Sequence, residues 1–193
     1  YHDFIDKAKD QDLMRKLHIP GVTFEGFLFP ETYNFDINTS AEEVIVTMVQ
    51  EFSKRVKTHS LSLGDSNLLS LITMASIIEK ETGAKAERRI ISGVFHNRIR
   101  RNMRLQSDPT TIYGVWDKFE GNIRKEHLQE KNDYNTYQIN GLPKGPICNP
   151  GIPAIEAALN PETHDFLFFV SKNDGTHAFS KTYEEHNKHV QNL

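Results

Sequence analysis

Between Leu68 and Ile78 the chain runs eleven residues without a charge, broken only by Ser70, Thr73 and Ser76. A helix written this way is apolar on nearly all sides and holds together only when other elements surround it. It falls well short of the roughly 20 residues that cross a bilayer, so it reads as the central helix of a folded core. The spacing predicts a helix from about Ser66 to Thr82, stopped by Gly83 in a left-handed cap conformation. The rest of the chain has to be arranged around it.

No repeat, low-complexity tract or long Gly/Ser or Pro linker divides the sequence, which reads as one main domain over 20–193. Residues 1–19 are polar, helical up to Leu17, and read as the tail of a preceding module that ends before Pro20-Gly21. Val22 to Phe29 alternates loosely and is expected to be extended, closed by Pro30. Ser40 and Glu43 form a capping box ahead of Ile45, Met48, Phe52 and Val56 at helical spacing. A helix from Lys85 to Met103 is expected to bury Ile91, Val94, Phe95 and Ile99 and to turn Arg88, Arg89, Arg100 and Arg101 outward. Asp108 caps a short helix with Pro109 at its first position.

Residues 141–151 hold three prolines and three glycines and must be a structured loop. A brief helix from Pro153 to Leu159 follows. Phe166–Ser171 and Thr176–Ser180 form a hairpin around Asn173-Asp174-Gly175, and Thr182 with Glu185 caps a final helix. With strands near both ends and helices in the middle, the expected class is α+β, helices packed on small antiparallel sheets.

Composition removes several functions. Lys+Arg 23 against Asp+Glu 26 gives a net charge of -3, unsuited to general nucleic-acid binding, which needs clustered positive charge. The one cysteine, Cys148, excludes an intrachain disulfide and a multi-thiolate zinc site. His177, His186 and His189 have no acidic or thiol partner at a familiar zinc spacing, so no metal or other cofactor is expected. No Gly-x-Ser-x-Gly, P-loop or dinucleotide fingerprint is present.

The chemistry concentrates where the central helix ends, in Glu79-Lys80-Glu81-Thr82. At 100° per residue Glu79 lies within about 40° of Leu68, Ile72 and Ala75, whereas Glu81 points about 200° away from it. One glutamate can be inside while the other is out, and periodicity leaves open which. A carboxyl held against apolar walls near a helix C-terminus gains proton affinity and becomes a proton donor near neutral pH. Two glutamates beside a lysine also describe an ordinary solvated helix end. Gln106-Ser107-Asp108 and Tyr134-Asn135-Thr136 add amides, hydroxyls and aromatic faces, the mixture a sugar-binding cleft uses; each set alone also fits turn and cap chemistry.

These segments resemble, in order, the endolytic murein transglycosylases of the YceG-like family. The resemblance covers about residues 20–193 through Glu25-Gly26-Phe27-Leu28-Phe29-Pro30-Glu31-Thr32-Tyr33, Ala75 to Thr82, Leu105 to Thr110 with Ile112-Tyr113-Gly114, Tyr134 to Tyr137, Gly141-Leu142-Pro143, Asn149-Pro150-Gly151, His177-Ala178-Phe179 and His186-Asn187. It departs at Lys144, where the family pattern has a second Pro.

The resemblance implies a lytic transglycosylase that needs no cofactor and cuts the N-acetylmuramic acid–N-acetylglucosamine bond within nascent peptidoglycan strands, leaving 1,6-anhydro ends. It carries the catalytic role onto Glu79, the first glutamate of the element. Gln106, Ser107, Tyr134, Asn135 and Thr136 are the expected sugar-holding residues, with Glu25 and Asp108 behind them. It further implies a LysM-like region, of which 1–19 would be the end, an N-terminal membrane anchor at the extracytoplasmic face of the bacterial cell membrane, and cell-wall synthases (penicillin-binding proteins) as partners. Two other readings stay open: a hydrolase pairing Glu79 with Glu25, Glu31 or Asp108, and a non-catalytic glycan-binding scaffold for the synthases.

Overall fold

The computed structural model describes residues 2–192. Its first helices, α1 (His2–Lys7) and α2 (Gln11–Lys16), are separate because Asp10 interrupts the run. Its carboxylate accepts the Asp12 and Leu13 N–H groups and starts a new helix. Leu13 and Met14 are buried in the main core, and Phe24 N–H donates to Ala8 O at 3.1 Å.

The extended strand expected over Val22–Phe29 does not form. Phe24, Phe27, Leu28 and Phe29 are all buried, which an alternating strand with one exposed face does not allow. The chain instead turns at Gly26, φ +92, and its freed N–H groups are collected by one side chain: Asn149 Oδ1 accepts from Gly26 at 2.7 Å and Leu28 at 3.1 Å.

Helix α3 (Ala41–Lys57) begins with the expected reciprocal box, Ser40 Oγ accepting from Glu43 N–H and Glu43 Oε2 from Ser40 N–H. Helix α4 (Leu68–Glu81) is the central one, with Leu68 and every residue from Ile72 to Ile78 buried. It ends without the expected left-handed glycine. Thr82 leaves the helix in an extended conformation, φ -146 and ψ 135, and its hydroxyl accepts from Ala84 N–H, so Gly83 has no positive φ to supply.

Around α4 pack α5 (Arg88–Arg100), α6 (Asp108–Gly114) and α8 (Ile152–Leu159), while α7 (Lys125–Gln129) lies outside against α6. Ser107, one residue earlier than expected, is the cap position of α6, with Pro109 second in the helix. Arg89 and Arg100 on α5 and Arg101 at its C-terminal cap are exposed as expected, but Arg88 is buried and turned toward Glu79. Arg98, which no sequence pattern marked, is buried as well.

Strands β1 (Phe168–Ser171) and β2 (His177–Ser180) pair antiparallel, Phe168 opposite Ser180 and Ser171 opposite His177, through a turn with Asn173 and Gly175 at positive φ. This is the one sheet among the described residues, and α9 (Tyr183–Gln191), capped by Thr182 and Glu185, packs against it. The class is α+β as expected, with the strands confined to the C-terminal part. No described helix is long and apolar enough to cross a membrane.

The 141–151 segment is a loop without helix or strand, stitched to α4 by Ser76. The Ser76 hydroxyl donates to Thr73 O and accepts Ile147 N–H at 3.0 Å, burying both polar groups with partners. Gly26 sits under this loop, and a Cβ there would meet Pro146 Cγ at 2.5 Å and Ile72 Cγ2 at 2.9 Å. Gly26→Ala is therefore expected to lower stability by about 2–4 kcal/mol, by strain and overlap together. Gly64→Ala, where a Cβ meets nothing within 4 Å, should stay within about 0.5 kcal/mol of the parent. Urea unfolding midpoints of the two variants check the contrast.

Candidate active site

The last turn of α4 is where the buried helix reaches polar surroundings, and its two glutamates leave it toward different neighbours. Glu79 faces the start of α5 and the end of the 141–151 loop. Its Oε1 lies 3.3 Å from Arg88 Nη2, and its Oε2 accepts Gly151 N–H at 3.3 Å. The Arg88 side chain is only 10% exposed, and its Nε and Nη1 have no hydrogen-bond partner among the described residues. Both Glu79 oxygens are thus acceptors already in use, and its side chain keeps 29% of its surface exposed.

Glu81 turns the other way, toward the Leu105–Asp108 segment. Ser107 Oγ donates to its Oε1, and Asp108 and Arg98 are the nearby charges. Burial pushes the Glu81 carboxyl up to about 7 and Asp108 pushes the same way, against the opposing effects of the Ser107 hydrogen bond and Arg98. A carboxyl poised there is half-protonated at neutral pH and can act as acid or base.

The frame that aims Ser107 is rigid. Gln106 is held at φ +51, a region uncommon for a residue with a side chain, and its N–H donates to Thr136 O. Ser107 N–H donates to Thr136 Oγ1 at 2.9 Å, and Thr136 Oγ1 and Thr110 Oγ1 are 2.8 Å apart. Arg98 reinforces the same segment from below: its Nη1 donates to Leu105 O at 2.7 Å and its Nε to Leu167 O at 2.6 Å, with the guanidinium over the Phe168 ring.

The predicted sugar-holding residues therefore divide. Asn135 and Thr136 are fully buried and belong to the frame, not to a surface a sugar can reach. Asn135 Oδ1 accepts from Thr111 Oγ1 and Tyr137 N–H, while its Nδ2 donates to Glu130 O and His127 O. Ser107 is buried against Glu81, whereas Gln106 and Asp108 are exposed beside it. Tyr137, left out of the expected set, donates its hydroxyl to Asp108 at 2.7 Å; burial and that partner hold the phenol above its ordinary range.

Tyr134 and Glu25 lie elsewhere in the site. Tyr134 stacks at an angle on Tyr113, ring centroids 4.7 Å apart, and Glu25 lines the adjoining cavity with Tyr113 and Cys148. Burial raises Glu25 against the pull of Lys80 and pushes the Cys148 thiol up to about 12. Such a thiol is protonated and a poor nucleophile. His177 is held by Glu87, Nδ1 to Oε2 at 2.7 Å, and His186 stacks on Phe168.

An α+β domain whose central helix ends in two differently housed glutamates, ringed by amides, hydroxyls and tyrosines, is the arrangement these elements define. The chain belongs to the YceG-like family, whose model it matches over residues 2–192. It is 41% identical over 167 residues to the endolytic murein transglycosylase of Bacillus subtilis (strain 168), covering 85% of this chain and 46% of that protein. With the endolytic murein transglycosylase of Streptococcus pneumoniae serotype 2 (strain D39) it shares 33% over 174 residues, 86% of this chain and 31% of the relative. It thus spans about half the length of the first relative and about a third of the second. A crystal structure of a YceG-like protein from Listeria monocytogenes superposes with a TM-score of 0.83 at 34% identity, over 97% of this chain and 66% of that one.

The raised Glu81 has a thermodynamic signature. The folded chain keeps this proton up to about pH 7, whereas the unfolded chain releases it near its ordinary 4.5, so folding binds a proton within that window. Stability from this group therefore falls as pH rises from 4.5 to 7 and is flat on either side. Glu81→Gln is expected to remove that slope, so that the variant gains on the parent across the window and then runs parallel to it. Denaturant titrations at a series of pH values check it.

Proposed function

We propose that this chain is the catalytic region of an endolytic peptidoglycan lytic transglycosylase, with Glu81 as its single acid and base. The observation that carries the reading is the contrast between the two glutamates. Family resemblance carries the catalytic role onto Glu79, but both Glu79 oxygens accept hydrogen bonds from protein donors. Glu81 has a proton affinity matched to neutral pH, with Ser107 donating to one oxygen and leaving the other to carry the proton.

In this mechanism Glu81 gives its proton to the glycosidic oxygen as the bond from that oxygen to C1 of N-acetylmuramic acid breaks. The resulting carboxylate then takes the proton of the muramic C6 hydroxyl, whose oxygen closes on C1 to leave a 1,6-anhydro end. The proton returns to Glu81 and no water enters the products. One carboxyl suffices, unlike a retaining glycosidase with two about 5 Å apart. Gln106, Asp108 and Tyr137 stand exposed or half-buried around the acid and would hold sugar hydroxyls. Glu79, with Arg88 and Gly151, would position the loop that closes the other side. In the full-length protein we place this chemistry at the outer face of the cell membrane beside the synthases that make the strand, with the anchor and LysM-like region upstream.

The test is mass spectrometry of products from purified, uncross-linked glycan. Glu81→Gln is expected to lower the rate by about 10² to 10⁴, with anhydro-muramic ends from the parent chain only. Glu79→Gln should retain at least a tenth of the parent rate, on the order of one hydrogen bond's effect. The reverse ranking would return the acid to Glu79, and reducing ends would mean that water attacks, with Asp108 as the second carboxylate. Unchanged products from both variants would make the chain's own activity something other than this chemistry. Because the acid must be protonated, kcat/KM is expected to fall as pH rises through about 7, and a pH–rate profile reads that limb.

A further inference from the structure

A cavity of about 990 Å³ opens beside the end of the central helix and is lined by neither of that helix's glutamates. It begins one residue away on both walls: Lys80 lies between Glu79 and Glu81, and Pro109 follows Asp108. Its lining is unlike the amide and hydroxyl surroundings of Glu81. Tyr113 and Trp116 supply aromatic faces, Lys9 and Lys80 two ammonium groups, and Glu25 and Asp117 two carboxyls. Neither lysine makes a salt bridge among the described residues, although Lys80 is close enough to Glu25 to oppose its rise in proton affinity. Trp116 is 70% exposed, a large uncovered aromatic surface in the cavity lining.

A strand without peptides offers only the lactyl carboxylate of each muramic acid and has no amine or apolar side chain to set against two carboxyls and two aromatic faces, whereas a peptide carries carboxylates and an amine together with apolar side chains. We propose that this cavity binds the peptide that branches from the sugar strand, its carboxylates on Lys9 and Lys80, its amine on Glu25 and Asp117, and its apolar part on Tyr113 and Trp116. The assignment rests on the functional reading above and adds to it a selectivity: the enzyme takes hold of strands that still bear peptides and passes over stripped ones.

Trp116 is the chain's one tryptophan, so its fluorescence reports occupancy without a label. The probe is an N-acetylmuramyl pentapeptide, which has no glycosidic bond to cut, compared with N-acetylmuramic acid alone. A saturable change with the muramyl peptide, at least tenfold weaker with the bare sugar, is expected. The Lys9→Ala/Lys80→Ala double variant should raise Kd for the muramyl peptide about tenfold, the combined effect of two exposed ion pairs. Equal affinity for the two probes, indifference to the double variant, or no saturable change would each overturn the assignment. Strand cleavage measured in parallel separates the two readings. Cleavage absent with peptide-dependent binding intact overturns the catalytic reading and upholds the peptide site; cleavage present with peptide-independent binding does the reverse.

Discussion

The burial of α4 on every side is the constraint from which the remaining architecture follows. A helix with no exposed flank can meet water only at its ends, and the end that reaches polar surroundings is Glu79-Lys80-Glu81. Each wall of the site is tied to that helix. The 141–151 loop is bound through Ser76, α5 through Arg88 and Glu79, and the Gln106–Asp108 segment through Ser107 and Glu81. The backbone around Gly26 completes the packing by pressing against Ile72 and Pro146. A core of this kind leaves little room to move either glutamate without unpacking something else.

One helical turn gives two carboxyls opposite environments because consecutive odd positions diverge by about 200°. Glu79 meets a guanidinium and a backbone N–H; Glu81 meets a hydroxyl, a carboxylate and the interior. The raised proton affinity of Glu81 follows from that choice of neighbours, burial first. The strained Gln106 and the fully buried Asn135–Thr136 pair make those neighbours dependable, since they fix Ser107 from the backbone side.

Much of this was legible in the sequence where the signal is local. The Ser40–Glu43 and Thr182–Glu185 boxes, the Asn173-Asp174-Gly175 hairpin and the loop character of 141–151 depend on residues close together, and all four are present. What was not legible depends on distant partners. Val22–Phe29 looks alternating, yet Asn149, more than 120 residues away, satisfies its N–H groups and lets it turn. Arg88 reads as surface until Glu79 is placed beside it, and Asn135 and Thr136 read as ligand-binding until the segments they brace are seen around them. The glutamate that is drawn inward is decided by Ser107, a contact across 26 residues that no helical wheel contains.

Arg98 is buried, yet it joins the carbonyls of Leu105 and Leu167, the side chain of Gln106 and the field at Glu81. Its hydrogen-bond acceptors are neutral, so its charge is not cancelled locally and offsets part of what burial does to the Glu81 carboxyl. The proton affinity of Glu81 is thereby coupled to the seating of the C-terminal hairpin, whose first strand begins beside Leu167. A change in how the hairpin packs would therefore reach the Glu81 carboxyl through Arg98 without altering any residue that touches Glu81 directly.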